Sequence, residues 1–215
     1  MSNNNIKTEM LYLLRNNDVM TITERGVTTQ TDTDTLSSAD TYLINRSNVK
    51  NVRSLSVDST DLEYGRDYTL NLDYDDSGTV KCQVSFNSTQ SGELEIIYDY
   101  GTDKIFGDFP RDDLTLNTYP RIACEMISKS TDAFGIGAQD FISNIMFTVV
   151  LYSESADYIQ SKIETIESVL RTNTTGLYYV PYTKPIGQGP LIKSEDRNDI
   201  ILQKNVDIMA MFQVE

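Results

Sequence analysis

The stretch Asp73-Tyr74-Asp75-Asp76-Ser77-Gly78 has the residue types of a calcium loop, with ligand positions one, three and five and the glycine at six present. Such a loop closes on a bidentate glutamate at position twelve, and here that position is Val84, within an alternating apolar run. Asp-Asp-Ser-Gly is also ordinary turn chemistry, so a hairpin turn is expected and no metal. Phe134-Gly135-Ile136-Gly137 is glycine-spaced like a phosphate cradle but lacks the Gly-Lys-Ser/Thr ending, and it reads as a flexible loop. Asp112-Asp113 beside Arg111 reads as a solvated or paired cluster, not a catalytic one. Tyr98, Tyr100, Tyr178, Tyr179 and Tyr182 have the make-up of a sugar platform, yet strand-rich proteins use tyrosine on half-buried faces routinely.

The chain has no histidine. That removes Ser-His-Asp and Cys-His catalysis, His-ligated zinc and the commonest general base together. Cys82 and Cys124 fall in separate expected strands without Cys-x-x-Cys spacing, and read as two buried free thiols. The expectation is a protein that is not an enzyme, with no catalytic residues, no cofactor and no metal. A formal net charge of −14 over 215 residues argues against a groove that grips DNA, which needs clustered Lys and Arg. It suits a surface that must not adhere to nucleic acid, a basic neighbour in an assembly, or simply a solvated acidic exterior. Met1–Asn5 is polar, and no apolar run approaches the roughly 20 residues of a membrane helix, so neither signal peptide nor membrane span is expected.

These residues must be positioned by two kinds of element. Ile6 to Asn16 reads as an amphipathic helix with Ile6, Met10, Leu13 and Leu14 on one face, ended by Asn16-Asn17-Asp18. Val19 to Gly26 reads as a strand or extended arm, and the polar tract Thr28–Thr35 as a linker with no apolar face to bury. From Tyr42 to Tyr100 the period is two: Val80, Cys82, Val84 and Phe86 in one run, Leu94, Ile96, Tyr98 and Tyr100 in another. Turn signals at Tyr64-Gly65-Arg66, Asp75–Gly78 and Gln90-Ser91-Gly92 predict a small antiparallel β-sandwich or barrel of roughly five to seven strands.

Two aromatic-Pro-Arg tripeptides, Phe109-Pro110-Arg111 and Tyr119-Pro120-Arg121, follow as stiff extended joints. Arg121 to Ile127 then reads as a strand, and Asn144 to Tyr152, apolar on both faces, as a central strand covered twice. Ser155 caps a helix to about Arg171 with Ile159, Ile163, Ile166 and Leu170 as its stripe. Extended structure resumes from Gly176 to Tyr182, Pro181, Pro185 and Pro190 bracket a loop, and a last strand places Val206, Ile208, Ala210 and Phe212 inward. This β-β-α-β-β module lacks a helix for its second face, which the N-terminal helix could supply. The predicted class is α+β. Residues 1–27 and 110–215 form one discontinuous domain, 36–106 an inserted all-β module, and 28–35 the linker.

Val49-Lys50-Asn51-Val52-Arg53-Ser54-Leu55, Gly65-Arg66-Asp67-Tyr68-Thr69-Leu70 and Ile96-Ile97-Tyr98-Asp99-Tyr100-Gly101 resemble a small β module recurrent in tailed-virus structural proteins. The N-terminal helix, the Tyr119-Pro120-Arg121-Ile122 strand opening and the β-β-α-β-β order resemble tail terminator or tail-completion (neck) proteins of tailed phages and archaeal tailed viruses. In that family the helix is followed closely by the strand, and here about ninety residues intervene, as a β module inserted where loop ends lie close together would require. The resemblance implies a virion structural protein at the head–tail junction, assembled in the host cytoplasm. It would form a homo-oligomeric ring, usually hexameric, that caps the tail tube and meets the neck or connector, with DNA passing through its lumen unbound. Phe134, Gly135, Ile136 and Gly137 would then be a subunit-interface or lumen loop, and Pro110, Arg111, Pro120 and Arg121 the module joints. Another neck, head-completion or tail tube protein, or a host- or carbohydrate-binding β module, remain the other readings.

Overall fold

A computed structural model describes residues 3–107, 119–133, 141–172, 178, 182–196 and 199–214. The protein is mostly β with a few helices, an α+β chain built on two sheets that do not close into barrels. The chain divides into two compact units: Met1–Met20 with Lys104–Glu215, and Thr21–Asp103.

In the first unit, helix α1 (Asn3–Asn16) ends in a left-handed turn at Asp18, where Val19 N–H donates to the Leu14 carbonyl and Asp18 N–H to that of Arg15. The sheet runs β10 (Ile192–Asp196), β11 (Asp199–Val214), β8 (Phe141–Ser153), β7 (Arg121–Ala133) and β6 (Ile105–Phe106), and β9 (Tyr182–Gln188) also pairs with β11. Helix α3 (Ala156–Thr172) follows β8, and the Ser155 hydroxyl accepts from Tyr158 N–H at its start. Ile6, Met10, Leu13 and Leu14 of α1 and Ile159, Ile163, Ile166 and Leu170 of α3 share one core with Ile122, Cys124, Phe147, Val149, Val206 and Ile208. Each such buried side chain contributes about 1.5–3 kcal/mol. Both helices thus lie on the same face of the sheet, so α1 does not supply cover for the other face as the pattern suggested. β8 is central, between β7 and β11; among the described residues the helices lie on one side of it, and Thr148 and Val150 on its other side are buried too. The proline-bracketed loop is in fact strand β9, and Pro185 is tolerated there because β9 lies on a sheet edge.

Val19–Gly26 is neither strand nor arm: Val19 and Met20 are buried in the first unit's core, and the second unit begins at Thr21. It contains α2 (Ile22–Arg25), closed by a capping box between Thr21 and Glu24 and by left-handed Gly26. The expected linker 28–35 is a correction as well: it lies inside strand β1 (Val27–Ser47), paired with β5 (Thr79–Gly101). Threonine favours strands, and the partner supplies the backbone bonds that no apolar face was needed to recruit. β2 (Val49–Val57), β3 (Thr60–Asp61) and β4 (Tyr68–Asp76) complete one five-stranded sheet. The expected sandwich or barrel is this single open sheet, because β5 does not stop at Gln90-Ser91-Gly92. It bends there, with Gly92 at φ 128° and β1 irregular opposite it, and the same strand serves both halves of the core. The turn at Ser77-Gly78 is as expected, with φ 55° and 89° joining β4 to β5.

Candidate functional site

The calcium-like stretch is the β4–β5 hairpin. Asp75 Oδ1 accepts from Gly78 N–H at 2.7 Å, Asp76 holds Lys81 at 2.6 Å, and Val84 is fully buried. Among the described residues, no group of three or more His, Cys, Asp or Glu is arranged to hold a metal. Cys82 and Cys124 are buried and in no disulfide, and burial, with a smaller push from the Asp73 charge, raises the Cys82 thiol to about 12. Tyr98 is buried and donates to Asp32 Oδ2 at 2.7 Å. Burial first, then that bond, raises its hydroxyl well above the usual range. Tyr100 lies under the Arg46 guanidinium, 4.3 Å from its ring centre. These two tyrosines therefore brace the sheet.

Of the predicted joints, Pro120 and Arg121 are described, and Pro110 and Arg111 lie outside the described residues, as do Phe134, Gly135, Ile136 and Gly137. The Tyr119–Pro120 peptide is cis. Arg121 opens β7 with its guanidinium 4.4 Å from the Tyr119 ring centre and 5.9 Å from that of Tyr152, and donates to the Tyr119 hydroxyl at 2.7 Å. Arg121 stands opposite Tyr152 in the register, on the face away from the helices, because their neighbours Ile122 and Leu151 face the core.

Several features were missed by the residue reading. One is a buried ionic cluster in the second unit. Arg25 donates through Nη1 to Asp99 and through Nε and Nη2 to Asp103, while Asp99 also accepts from Arg53 and Thr29. A second is a groove lined by Thr33, Asp34, Ser56, Asp61, Glu93 and Glu95, whose carboxylates repel anions such as phosphate.

A third lies at the two edges of the first unit's sheet. Among the described residues, β6 pairs with β7 at Ile122 and Ala123 alone. Further along β7, Ile127 is 55% exposed, in a bulge opposite β8. On the far edge, Tyr182 and Ile186 of β9 are 38% and 45% exposed, and Leu191 and Ile192 continue that apolar strip. Glu125 of β7 stands opposite Thr148, and Lys184 of β9 opposite Met209, which puts both on the face away from the helices. The types of Glu125, Ile127, Tyr182 and Lys184 do not by themselves mark an edge; the one edge signal in the sequence is Pro185, a residue that sheets tolerate on an edge strand. These features are exposed strand edges and an acidic groove on the surface, with buried polar groups that brace the fold. No protein-family model matches the chain, and no curated protein matches it at a significant level.

Proposed function

We propose that this chain is a virion structural protein of the head–tail junction, a tail terminator that forms a ring on the end of the tail tube and joins it to the neck. The observation that carries the reading is the packing of α1 on a sheet whose strands begin only after residue 104, with the whole β unit Thr21–Asp103 intervening in sequence. A terminator-like helix and sheet with a module inserted between them would have that arrangement, which supports the reading. The acidic balance of the chain supports passage of DNA without adhesion, since binding requires cations on the phosphates. The test is the assembly state of the purified protein: a closed ring by mass and negative-stain imaging supports the terminator. A monomer that binds glycans removes it in favour of a host-binding β module.

In this reading the protein works by shape and contact, with no catalytic step, no cofactor and no membrane. Among the described residues no helix is long and apolar enough to cross a membrane. Its partners are further copies of itself, the tail tube protein and the neck proteins.

A further inference from the structure

We infer that copies of this chain join edge to edge, β9 of one copy lying along β7 of the next, with Lys184 facing Glu125 across the seam. The inference gives the proposed ring its interface and rests on that reading.

Strand polarity allows it. β7 is antiparallel to β8, β8 to β11, and β11 to β9, so β7 and β9 run in opposite directions. A ring rotation about an axis close to the strand direction preserves those directions, and the two edges then meet antiparallel, the favoured pairing for a sheet extended by a second chain. The two edges are different surfaces of the same molecule, so the contact is heterologous and builds a ring if the rotation closes. Side chains allow it too. Placing Lys184 opposite Glu125 pairs a cation with an anion and brings Tyr182 to the bulge that carries Ile127, so two exposed apolar side chains fall in the same stretch of the seam. Glu125 and Lys184 lie on the same face of the sheet, and among the described residues neither makes an ion pair. Pro185 lacks an N–H and shortens any backbone ladder, which leaves the side chains to select the partner.

The test is a charge swap in the full-length protein, read by native mass spectrometry and by dilution of the oligomer. Glu125→Lys and Lys184→Glu each place like charges across every seam, and each should weaken association by about tenfold or more, shifting mass toward the 24.3 kDa monomer. The double variant E125K/K184E restores the attraction and should recover the wild-type mass. Far-ultraviolet circular dichroism spectra of all three should match wild type, since neither side chain is in the core, which separates lost association from lost folding. If the single variants assemble as wild type does, the seam lies elsewhere and the ring reading is untouched. If the wild-type chain is itself monomeric at every concentration, the ring reading falls and the seam with it.

Discussion

Arg25 donates from Nη1 to Asp99 Oδ2 at 2.8 Å, and neither side chain is exposed at all. The same guanidinium grips Asp103 by two further bonds, of 3.1 and 3.0 Å. Arg25 stands just inside the start of the β unit and Asp103 is its last residue, so one side chain ties the entering and leaving segments of Thr21–Asp103 together. A module carried as an insertion needs its ends held close, and this cluster does so inside the module itself.

Removing the cation would leave two buried carboxylates without it. Arg25→Ala should therefore destabilise the β unit by roughly 3–5 kcal/mol, the cost of breaking a buried ion pair on one side. Hydrogen exchange should show lost protection in β1, β2 and β5 with β8 and β11 unchanged. Equal loss in both units would contradict the assignment.

Acid should act on the same cluster. Burial pushes the Asp99 carboxyl up, but hydrogen bonds from Arg53 and Thr29 and the charges of Arg25 and Arg53 outweigh it, and the group is held below its ordinary value. A folded value below the unfolded one means the stabilisation is complete above about pH 4, the unfolded range, and is lost as pH falls through the folded value. Arg53→Gln should shrink the stability difference between neutral and acid solution, measured by denaturant titration at each pH. An unchanged difference would show that Asp99 does not drive the acid response.

Leu14 is fully buried in the core that α1 shares with the sheet. Leu14→Ala should cost about 2–5 kcal/mol, and the loss should fall on β7, β8 and β11, far along the chain, while β4 and β5 keep their exchange protection. Loss confined to residues 21–103 would refute the pairing of α1 with that sheet.

Gly92 bends β5 at φ 128°, and a Cβ there would run into the Asp58 carboxylate, whose Oδ1 accepts from Glu93 N–H at 2.8 Å. Gly92→Ala should cost about 1–3 kcal/mol through backbone strain and displacement of Asp58, seen as a lower melting temperature. An unchanged melt would mean the bend does not depend on glycine.

Much of this fold was legible because burial leaves a period in the sequence. Cys82, Val84 and Phe86 alternate because one side of β5 is core, although Val80, which continues the pattern, is 49% exposed near the strand's start; Ile159, Ile163, Ile166 and Leu170 recur at helical spacing because one side of α3 is core. Thr28–Thr35 was not legible as strand, since its stability comes from register with Glu93–Tyr100 and from polar contacts such as Tyr98 to Asp32. Gln90-Ser91-Gly92 was misread because a glycine that bends a strand and a glycine that ends one look alike in sequence. The edge residues Glu125, Ile127, Tyr182 and Lys184 carried no signal, because edge position is a property of the sheet order. Arg25, Asp99 and Asp103 are separated by more than seventy residues between cation and anions, and only the fold brings them together.

The most direct test of the central claim is cryo-EM of purified virions, with density assigned to this chain. The account predicts a closed ring of copies between the end of the tail tube and the neck, with the first unit's sheet running from copy to copy. Density for this chain anywhere else in the particle, or a particle without it, would contradict the account.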